Sequence, residues 1–157
     1  NPTYLVSTAA GKTKPSDVSL QNLRDLRAAV SDAVLNGGEA AYYMKPTMEA
    51  LLVTFNTLGS PQIYIPQNGG NPATLDGFPI RGIGVGQGYA KAAAPSTFIA
   101  FFGDLSYVYL GERGQVRVDV SREVFFATDE LAMRALERID VELMAVDAMS
   151  TLQLAAA

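Results

Sequence analysis

Any chemistry in this sequence has to come from carboxylates, lysines and tyrosines, because its 157 residues include no His, Cys or Trp. Without Cys or His, the chain has no thiolate nucleophile, no disulfide, no Ser-His-Asp triad and no Cys- or His-ligated metal. The G-x-S-x-G, Ser-x-x-Lys and phosphate-loop motifs are absent as well. Carboxylates, Lys and Tyr remain open for acid–base chemistry, but with no catalytic constellation in view we expect a protein that is not an enzyme and that uses no cofactor or metal.

Two acidic positions and one glycine-rich segment are the strongest candidates for a chemical site. Asp140 and Glu142 fall on one face of a predicted strand, where paired carboxylates can bind a metal or transfer protons. Arg138 shares that face, so we interpret the three as a solvated row of charges. Asp104 follows a glycine and is predicted to be a turn residue. The glycines that alternate over residues 82–88 do not have dinucleotide-binding spacing and predict a loop.

The composition is that of an acidic protein with few charged residues. Twelve Lys and Arg against 16 Asp and Glu give a net charge of −4, which argues against nucleic-acid binding. Charged residues make up 18% of the chain, below the usual ~25%, and 48% is apolar, so part of the surface is expected not to face water. No apolar run approaches the ~20 residues of a membrane span. The first residues carry neither a signal peptide nor an initiator Met, so we expect a piece of a longer protein.

The tyrosines leave two interpretations open. Tyr is common both in protein cores and at protein contacts. The sequence favours neither a core role nor a binding surface for Tyr42, Tyr43, Tyr64, Tyr107 and Tyr109.

Hydrophobic spacing predicts short helices and strands over the first two thirds of the chain. Apolar residues at helical spacing, beginning at Leu23 and Leu26, predict one helix over residues 18–35, capped by Ser16 or Ser19. A second helix is predicted to begin at Pro46 and to end at residues 59–61. Short apolar runs predict four strands, of which all but the one at residues 63–65 are expected to be buried, and a turn is expected after the last of them. The strands are residues 40–44, 63–65, 98–102 and 107–110, and the turn is residues 111–114.

In the last third, residue types and periodicity disagree. Val116, Val118 and Val120 alternate with polar residues, which predicts a half-buried strand. Residues 130–143 are rich in helix-forming types, yet apolar and charged side chains alternate along them. Because pattern can override propensity, we predict a long strand there, paired antiparallel with residues 116–126. Such a two-stranded arm is marginal alone and needs something packed on its apolar face.

Five segments, in this order, resemble segments of tailed-phage (Caudoviricetes) major capsid proteins of the Hong Kong 97 type. They are residues 43–47 (YMKPT), 75–80 (LDGFPI), 102–114 (FGDLSYVYLGERG), the valine-rich strand 116–120, and 126–138, which includes FATD and RALER. The resemblance implies that the family-motif residues serve the fold and assembly: Phe102, Gly103, Asp104, Tyr107, Gly111, Arg113, Gly114, Asp129, Arg134, Glu137 and Arg138.

The resemblance also implies an architecture, an α+β Hong Kong 97-like capsid fold from which the N-terminal arm, extended loop and spine helix are missing. Residues 1–15 would be a linker or strand remnant. Residues 16–114 would form the axial domain, and 145–157 its return strand. Residues 115–144 would be the long β-hairpin of the peripheral domain. Without the spine helix, the apolar face of this hairpin is expected to be partly bare.

One departure from the family concerns covalent cross-linking. Some members join a Lys of the extended loop to an Asn near the second hairpin strand. The position that matches this Asn is Asp129, and a carboxylate cannot take the Asn role directly. We therefore expect no self-cross-linking.

The resemblance implies a structural subunit of an icosahedral phage or prophage capsid that assembles into pentamers and hexamers and encloses DNA. Its partners would be other copies of itself, with scaffold, protease and portal proteins during assembly, packaged DNA only indirectly, and no membrane. It would reside in the virion, and in the host cytoplasm before assembly. The alternatives are an encapsulin-type shell protein, or a small carboxylate-based α/β enzyme or ligand-binding domain.

Overall fold

The chain folds into two units. The computed structural model describes residues 4–56, 63–83, 96–121 and 123–156. The first unit comprises Asn1–Tyr107 with Ala145–Ala157, and the second comprises Val108–Met144. Within the described ranges, no helix is long and apolar enough to cross a membrane. Gly84, Gly86 and Gly88 of the glycine-rich segment, and the predicted helix end at residues 59–61, lie outside the described residues.

Eleven strands are found in the described part of the chain, seven of them in the first unit. In chain order they are β1 (Tyr4–Ser7), β2 (Ala41–Met44), β3 (Tyr64–Ile65), β4 (Thr74–Leu75), β5 (Phe78–Gly82), β6 (Phe98–Gly103), β7 (Val108–Glu112), β8 (Arg117–Ser121), β9 (Ala132–Leu136), β10 (Ile139–Leu143) and β11 (Met149–Gln153). The first unit is built on one sheet in the order β1-β11-β6-β2-β5-β4-β3. Its β1–β11 and β2–β5 pairs are parallel and its other pairs antiparallel.

The helix predicted over residues 18–35 is two helices, so the prediction of one continuous helix is wrong. They are α1 (Leu20–Ala28) and α2 (Asp32–Asn36). Ser19 caps α1, as one of the two predicted caps, by accepting the backbone N–H of Asn22 at 3.3 Å. The break has a tertiary cause, because the N–H of Ser31 leaves the helical pattern and donates to the Asp147 carbonyl at 3.1 Å.

The core lies between α1 and the centre of the sheet. Two buried hydroxyls reach the helix backbone, the Tyr42 hydroxyl to the Leu23 carbonyl at 3.2 Å and the Ser150 hydroxyl to the Leu26 carbonyl at 2.5 Å. The Phe102 ring lies 4.5 Å from the Tyr42 ring, centroid to centroid. The second predicted helix begins as a 3₁₀ turn at Pro46–Met48 and continues as α3 (Glu49–Val53).

The second unit is an arm of two antiparallel ladders, β7 with β10 and β8 with β9. The prediction of strand rather than helix in the last third is thereby confirmed, although residues 137–138 divide the predicted long strand into β9 and β10. The turn predicted at residues 111–114 is wrong in part, because Gly111 and Glu112 belong to β7 and pair with Asp140 and Ile139.

The pairing register changes between the two ladders, because the segment that joins β7 to β8 is longer than the segment that joins β9 to β10. Glu112 pairs with Ile139 and Arg117 pairs with Leu136. Four residues, 113–116, therefore face only two, 137–138, across the arm. The Arg113 N–H donates to the Arg138 carbonyl at 3.0 Å, so the extra length lies after residue 113. Extra residues of this kind bend and twist a ladder locally.

Candidate assembly site

The chain leaves the seven-stranded sheet at the end of β6, where four of the family-motif residues lie. Gly103 pairs with Met149, and the Asp104 N–H donates to the Ala148 carbonyl at 3.3 Å. A Cβ at Gly103 would collide with the Ala148 carbonyl oxygen and lie 2.8 Å from the Met149 Cα. Only glycine therefore lets these two segments approach so closely.

Asp104 acts as a turn residue, as the sequence predicts. It is buried, and its Oδ1 accepts the backbone N–H of Ser106 at 2.8 Å. This hydrogen bond begins the 3₁₀ turn Leu105–Tyr107, which leads into β7. The motif residues from Phe102 to Tyr107 thus shape the path of the chain out of the sheet.

A cluster of charged side chains links α1 to the turn between β4 and β5. This turn belongs to residues 75–80, one of the five segments that resemble phage capsid proteins. Arg24 donates to both carboxylate oxygens of Asp76, from Nε at 2.8 Å and from Nη2 at 3.3 Å. The Nη1 of Arg27 lies 3.8 Å from Asp76, and its guanidinium lies 5.6 Å from the centre of the Phe78 ring. Hydrogen bonding from Arg24 lowers the pKa of Asp76 and, in turn, raises the pKa of Arg24.

Sequence reasoning missed this cluster. Arg24 and Asp76 are 52 positions apart, and nothing local links them. One signal was available, because Arg24 and Arg27 are three residues apart and so lie on one face of α1.

The other seven family-motif residues lie in the arm. Gly111 is in β7, and Arg113 and Gly114 begin the irregular stretch, where Gly114 has a φ of +83°. Asp129 follows a 3₁₀ turn (Phe126–Thr128) and has a φ of +54°. The remaining three, Arg134, Glu137 and Arg138, are exposed on the returning side of the arm. The eleven residues therefore form two groups, one at the β6 exit and one along the arm.

One face of the arm is apolar and open. Val118 pairs with Ala135 and Val120 pairs with Met133, so alternation places all four on the same face of the β8–β9 ladder. Val120 is 55% exposed and Met133 is 70% exposed. The expectation of a partly bare hairpin face is confirmed. The strands predicted at 116–120 and 107–110 are confirmed as β8 and β7, but their predicted burial is wrong, because within the arm no other described element packs on either face of the two-stranded ladders.

The opposite face is polar. Asp119 accepts from Arg117 Nε at 2.8 Å and from Arg134 Nη2 at 3.0 Å. These hydrogen bonds, the one from Arg134 foremost, lower the pKa of Asp119. In the β7–β10 ladder, Asp140 and Glu142 are exposed as predicted for a solvated row of charges.

The tyrosines divide between the two interpretations. Tyr42, Tyr43 and Tyr64 are buried, whereas Tyr107 is half-buried and Tyr109 is exposed. Burial raises the pKa of Tyr42 to about 12 and also raises the pKa of Tyr43. Tyr43 stacks on Phe101 at 4.6 Å between ring centres. Three of the five are therefore core residues, and Tyr109 is available for contacts.

The cavities of the arm are shallow. A depression of about 280 Å³ lies beside the Asp119–Arg134 ion pair and is lined by Val120, Val124 and Met133, among others. Ligand pockets usually measure about 300–1,000 Å³. Among the described residues, no three acidic side chains are placed to hold a metal ion.

Solved structures with a similar fold are capsid and shell proteins. The capsid of the native GTA particle matches with a TM-score of 0.64 and 19% identity, over 97% of this chain and 49% of that chain. Gordonia phage Cozz matches with a TM-score of 0.60 and 17% identity, over 98% and 50%. The holo-SrpI encapsulin complex from Synechococcus elongatus PCC 7942 matches with a TM-score of 0.50 and 19% identity, over 98% and 53%.

These likenesses confirm the predicted fold class, an α+β capsid fold of the Hong Kong 97-like kind. The chain spans about half the length of the solved capsid chains that it matches. No curated protein matches by sequence. The model of the phage capsid family matches residues 3–154, almost the whole sequence. The chain belongs to the phage capsid family.

Proposed function

We propose that this chain is the C-terminal portion of a Hong Kong 97-type major capsid protein and that it builds an icosahedral shell by contacts with other copies. The observation that carries the proposal is the open apolar face of the arm, on which Val118, Val120 and Met133 are each more than half exposed. An isolated two-stranded ladder is marginally stable in water, so this face needs a cover.

The length of the chain supports a cover from the same protein. About half of each matched capsid chain has no counterpart here. In the Hong Kong 97-type arrangement, the preceding half supplies a spine helix, an N-terminal arm and an extended loop. We propose that the spine helix packs on the apolar face and that neighbouring subunits meet the rest of the arm.

The division of the chain into two units supports the expected axial domain and peripheral hairpin. We propose that the first unit corresponds to the axial domain, predicted over residues 16–114 and 145–157, and that the second unit contains the peripheral hairpin, predicted over residues 115–144. The second unit begins at Val108, so β7 lies in the arm, whereas the resemblance to the family places it in the axial domain. The family-motif residues would then act at the β6 exit and along the arm.

The proposed assembly defines partners and place. Copies of the protein would form pentamers and hexamers that enclose DNA, with scaffold, protease and portal proteins taking part during assembly. The protein would be found in the virion, and in the host cytoplasm before assembly. Its role would be structural rather than enzymatic. Asp129 stands where cross-linking members carry Asn, so we expect shells held together without isopeptide bonds.

The arm offers a direct test with a matched control. In the product of the full reading frame that contains this chain, V118S/V120S makes the apolar face polar. L136S makes the same kind of change on the opposite face of the same ladder. We expect the double variant to sediment as small species and L136S to sediment as shells. Shell formation by both variants at wild-type yield would contradict the proposed role of the face.

A further inference from the structure

Two Asn-Gly pairs in the chain lie in very different surroundings. They are Asn36-Gly37 and Asn68-Gly69. In such a pair, the glycine nitrogen can attack the asparagine side chain because glycine has no Cβ to obstruct the approach. We propose that Asn68 is a site of spontaneous covalent modification, at which the side-chain amide becomes aspartate or isoaspartate, and that the fold protects Asn36.

The reaction is hydrolytic and needs only water. The Gly69 nitrogen loses its proton and bonds to the Asn68 Cγ, while the bond from Cγ to the side-chain nitrogen breaks. Ammonia leaves with that proton, and a five-membered succinimide ring remains. Water then opens the ring at one of its two carbonyl carbons. Opening at Cγ gives aspartate, and opening at the backbone carbon gives isoaspartate. Either product carries one more negative charge, and no electrons are gained or lost.

The turn that holds Asn68 leaves the attacking nitrogen accessible. All residues from Ile65 to Pro72 are exposed. Asn68 and Asn71 pair through their backbones, with the Asn71 N–H donating to the Asn68 carbonyl at 3.0 Å. The N–H of Gly69, at the bend between them, has no hydrogen-bond partner among the described residues. Apart from the two adjoining residues, no atom lies within 4 Å of where a Gly69 Cβ would be, so no other described part of the chain packs against the bend.

The helix end that holds Asn36 does not offer this freedom. The N–H of Gly37 donates to the Val34 carbonyl at 3.1 Å, so the nucleophilic nitrogen is already engaged. A Cβ at Gly37 would lie 3.3 Å from that same oxygen, which shows how closely the backbone is packed. Attack at Asn36 therefore requires the last turn of α2 to open first.

A further asparagine serves as an internal control. Asn71 lies in the same turn but precedes Pro72, whose nitrogen carries no hydrogen and cannot supply the ring nitrogen in this way. Exposure of the turn alone would affect Asn68 and Asn71 alike. The proposed chemistry affects Asn68 only.

The test is an incubation of the folded chain at mildly alkaline pH. Digestion with a glutamate-specific protease separates the two pairs, because Glu39 and Glu49 lie between them. Tandem mass spectrometry then measures amide loss at each site, and enzymatic methylation detects isoaspartate. We expect Asn68 to react at least about fivefold faster than Asn36, since opening one backbone hydrogen bond costs about 1 kcal/mol, which corresponds to that factor.

Two comparisons make the outcome decisive. In denaturant, the rates at Asn68 and Asn36 should become similar, because the protection at Asn36 comes from the fold. On isoelectric focusing, N68Q should abolish the main acidic species, whereas N36Q and N71Q should leave it. Equal rates in the folded chain, no reaction at Asn68, or an acidic species that survives N68Q would overturn the proposal.

Discussion

At the scale of single residues, a few close approaches decide the path of the chain. Gly103 is where β6 meets the returning segment at Ala148 and Met149 with no room for a side chain. Asp76 has a φ of +48° at the turn after β4, and its carboxylate is held by Arg24. Neither role could be predicted from spacing, because each depends on a partner more than 40 positions away.

Replacing Gly103 by alanine should be strongly destabilising. The added Cβ meets backbone atoms of Ala148 and Met149, which cannot move aside as a flexible side chain could. We expect G103A to lower the free energy of unfolding by about 3 kcal/mol, the upper end of the usual range for overpacking that displaces the backbone.

Urea denaturation of this chain measures the effect, and G38A is the control. Gly38 also has a positive φ, +81°, but has no atom within 4 Å of the added Cβ. Its substitution should cost only about 1 kcal/mol of backbone strain. Similar losses for the two variants would show that Gly103 is required for its φ rather than for the close approach.

Asp76 should make the stability of the first unit depend on pH. Its pKa in the folded chain is lowered from the ordinary value of 3.8, chiefly by the hydrogen bond from Arg24. A lowered folded pKa means that the stabilisation is complete above the unfolded pKa and is lost as the pH falls through the folded value. The difference between wild type and D76N should therefore be full at neutral pH and shrink below about pH 4.

The magnitude at neutral pH should be about 1 kcal/mol, because Asp76 is largely buried while Arg24 is partly exposed and screened. Asparagine tolerates the positive φ of this turn, so D76N removes the charge without straining the backbone. Urea midpoints of both proteins across the acidic range provide the measurement. A difference that stays constant as the pH falls would show that the carboxylate charge is not what stabilises the turn.

At the scale of elements, the spacing of apolar residues predicted the secondary structure of the arm better than the helix propensities of its residues did. Alternation identified the arm strands in a segment rich in helix-forming residues, since packing and pairing outweigh weak propensities. Alternation did not predict that the four residues 113–116 face only residues 137 and 138, because the pairing register depends on both strands of a ladder. It also did not predict the break between α1 and α2, which depends on the Ser31 contact with Asp147.

Hydrogen exchange should separate the arm from the sheet. The β8–β9 ladder has both faces exposed, whereas β6 and β2 lie in the buried centre of the first unit. In this chain alone, we expect amides of the β8–β9 ladder to be protected roughly 100-fold less than those of the β6–β2 pair, because local opening of the arm exposes little new apolar surface.

The same amides provide a second reading in assembled particles. There, the proposed spine helix and neighbouring subunits would cover the arm, and its protection should rise toward that of the sheet. Equal protection of arm and sheet in the isolated chain would mean that the arm is stable without a cover. That result would remove the main physical reason for proposing one.

At the scale of the whole molecule, the fold class and the family could be inferred from the sequence. Five short segments in the right order carried the resemblance, and the family model and the solved capsid folds agree with it. Which residues of the arm are exposed was predicted less well from the sequence. The apolar runs at residues 107–110 and 116–120 predict burial, yet Leu110, Val118 and Val120 are each more than half exposed in this chain.

Negative-stain electron microscopy of the product of the full reading frame that contains this chain would show whether the protein forms shells. We expect closed icosahedral shells, or rings of five and six subunits under conditions that block closure. Shells filled with a cargo enzyme instead of DNA would favour the encapsulin alternative. A uniform monomer at every salt and protein concentration would contradict the proposed shell function.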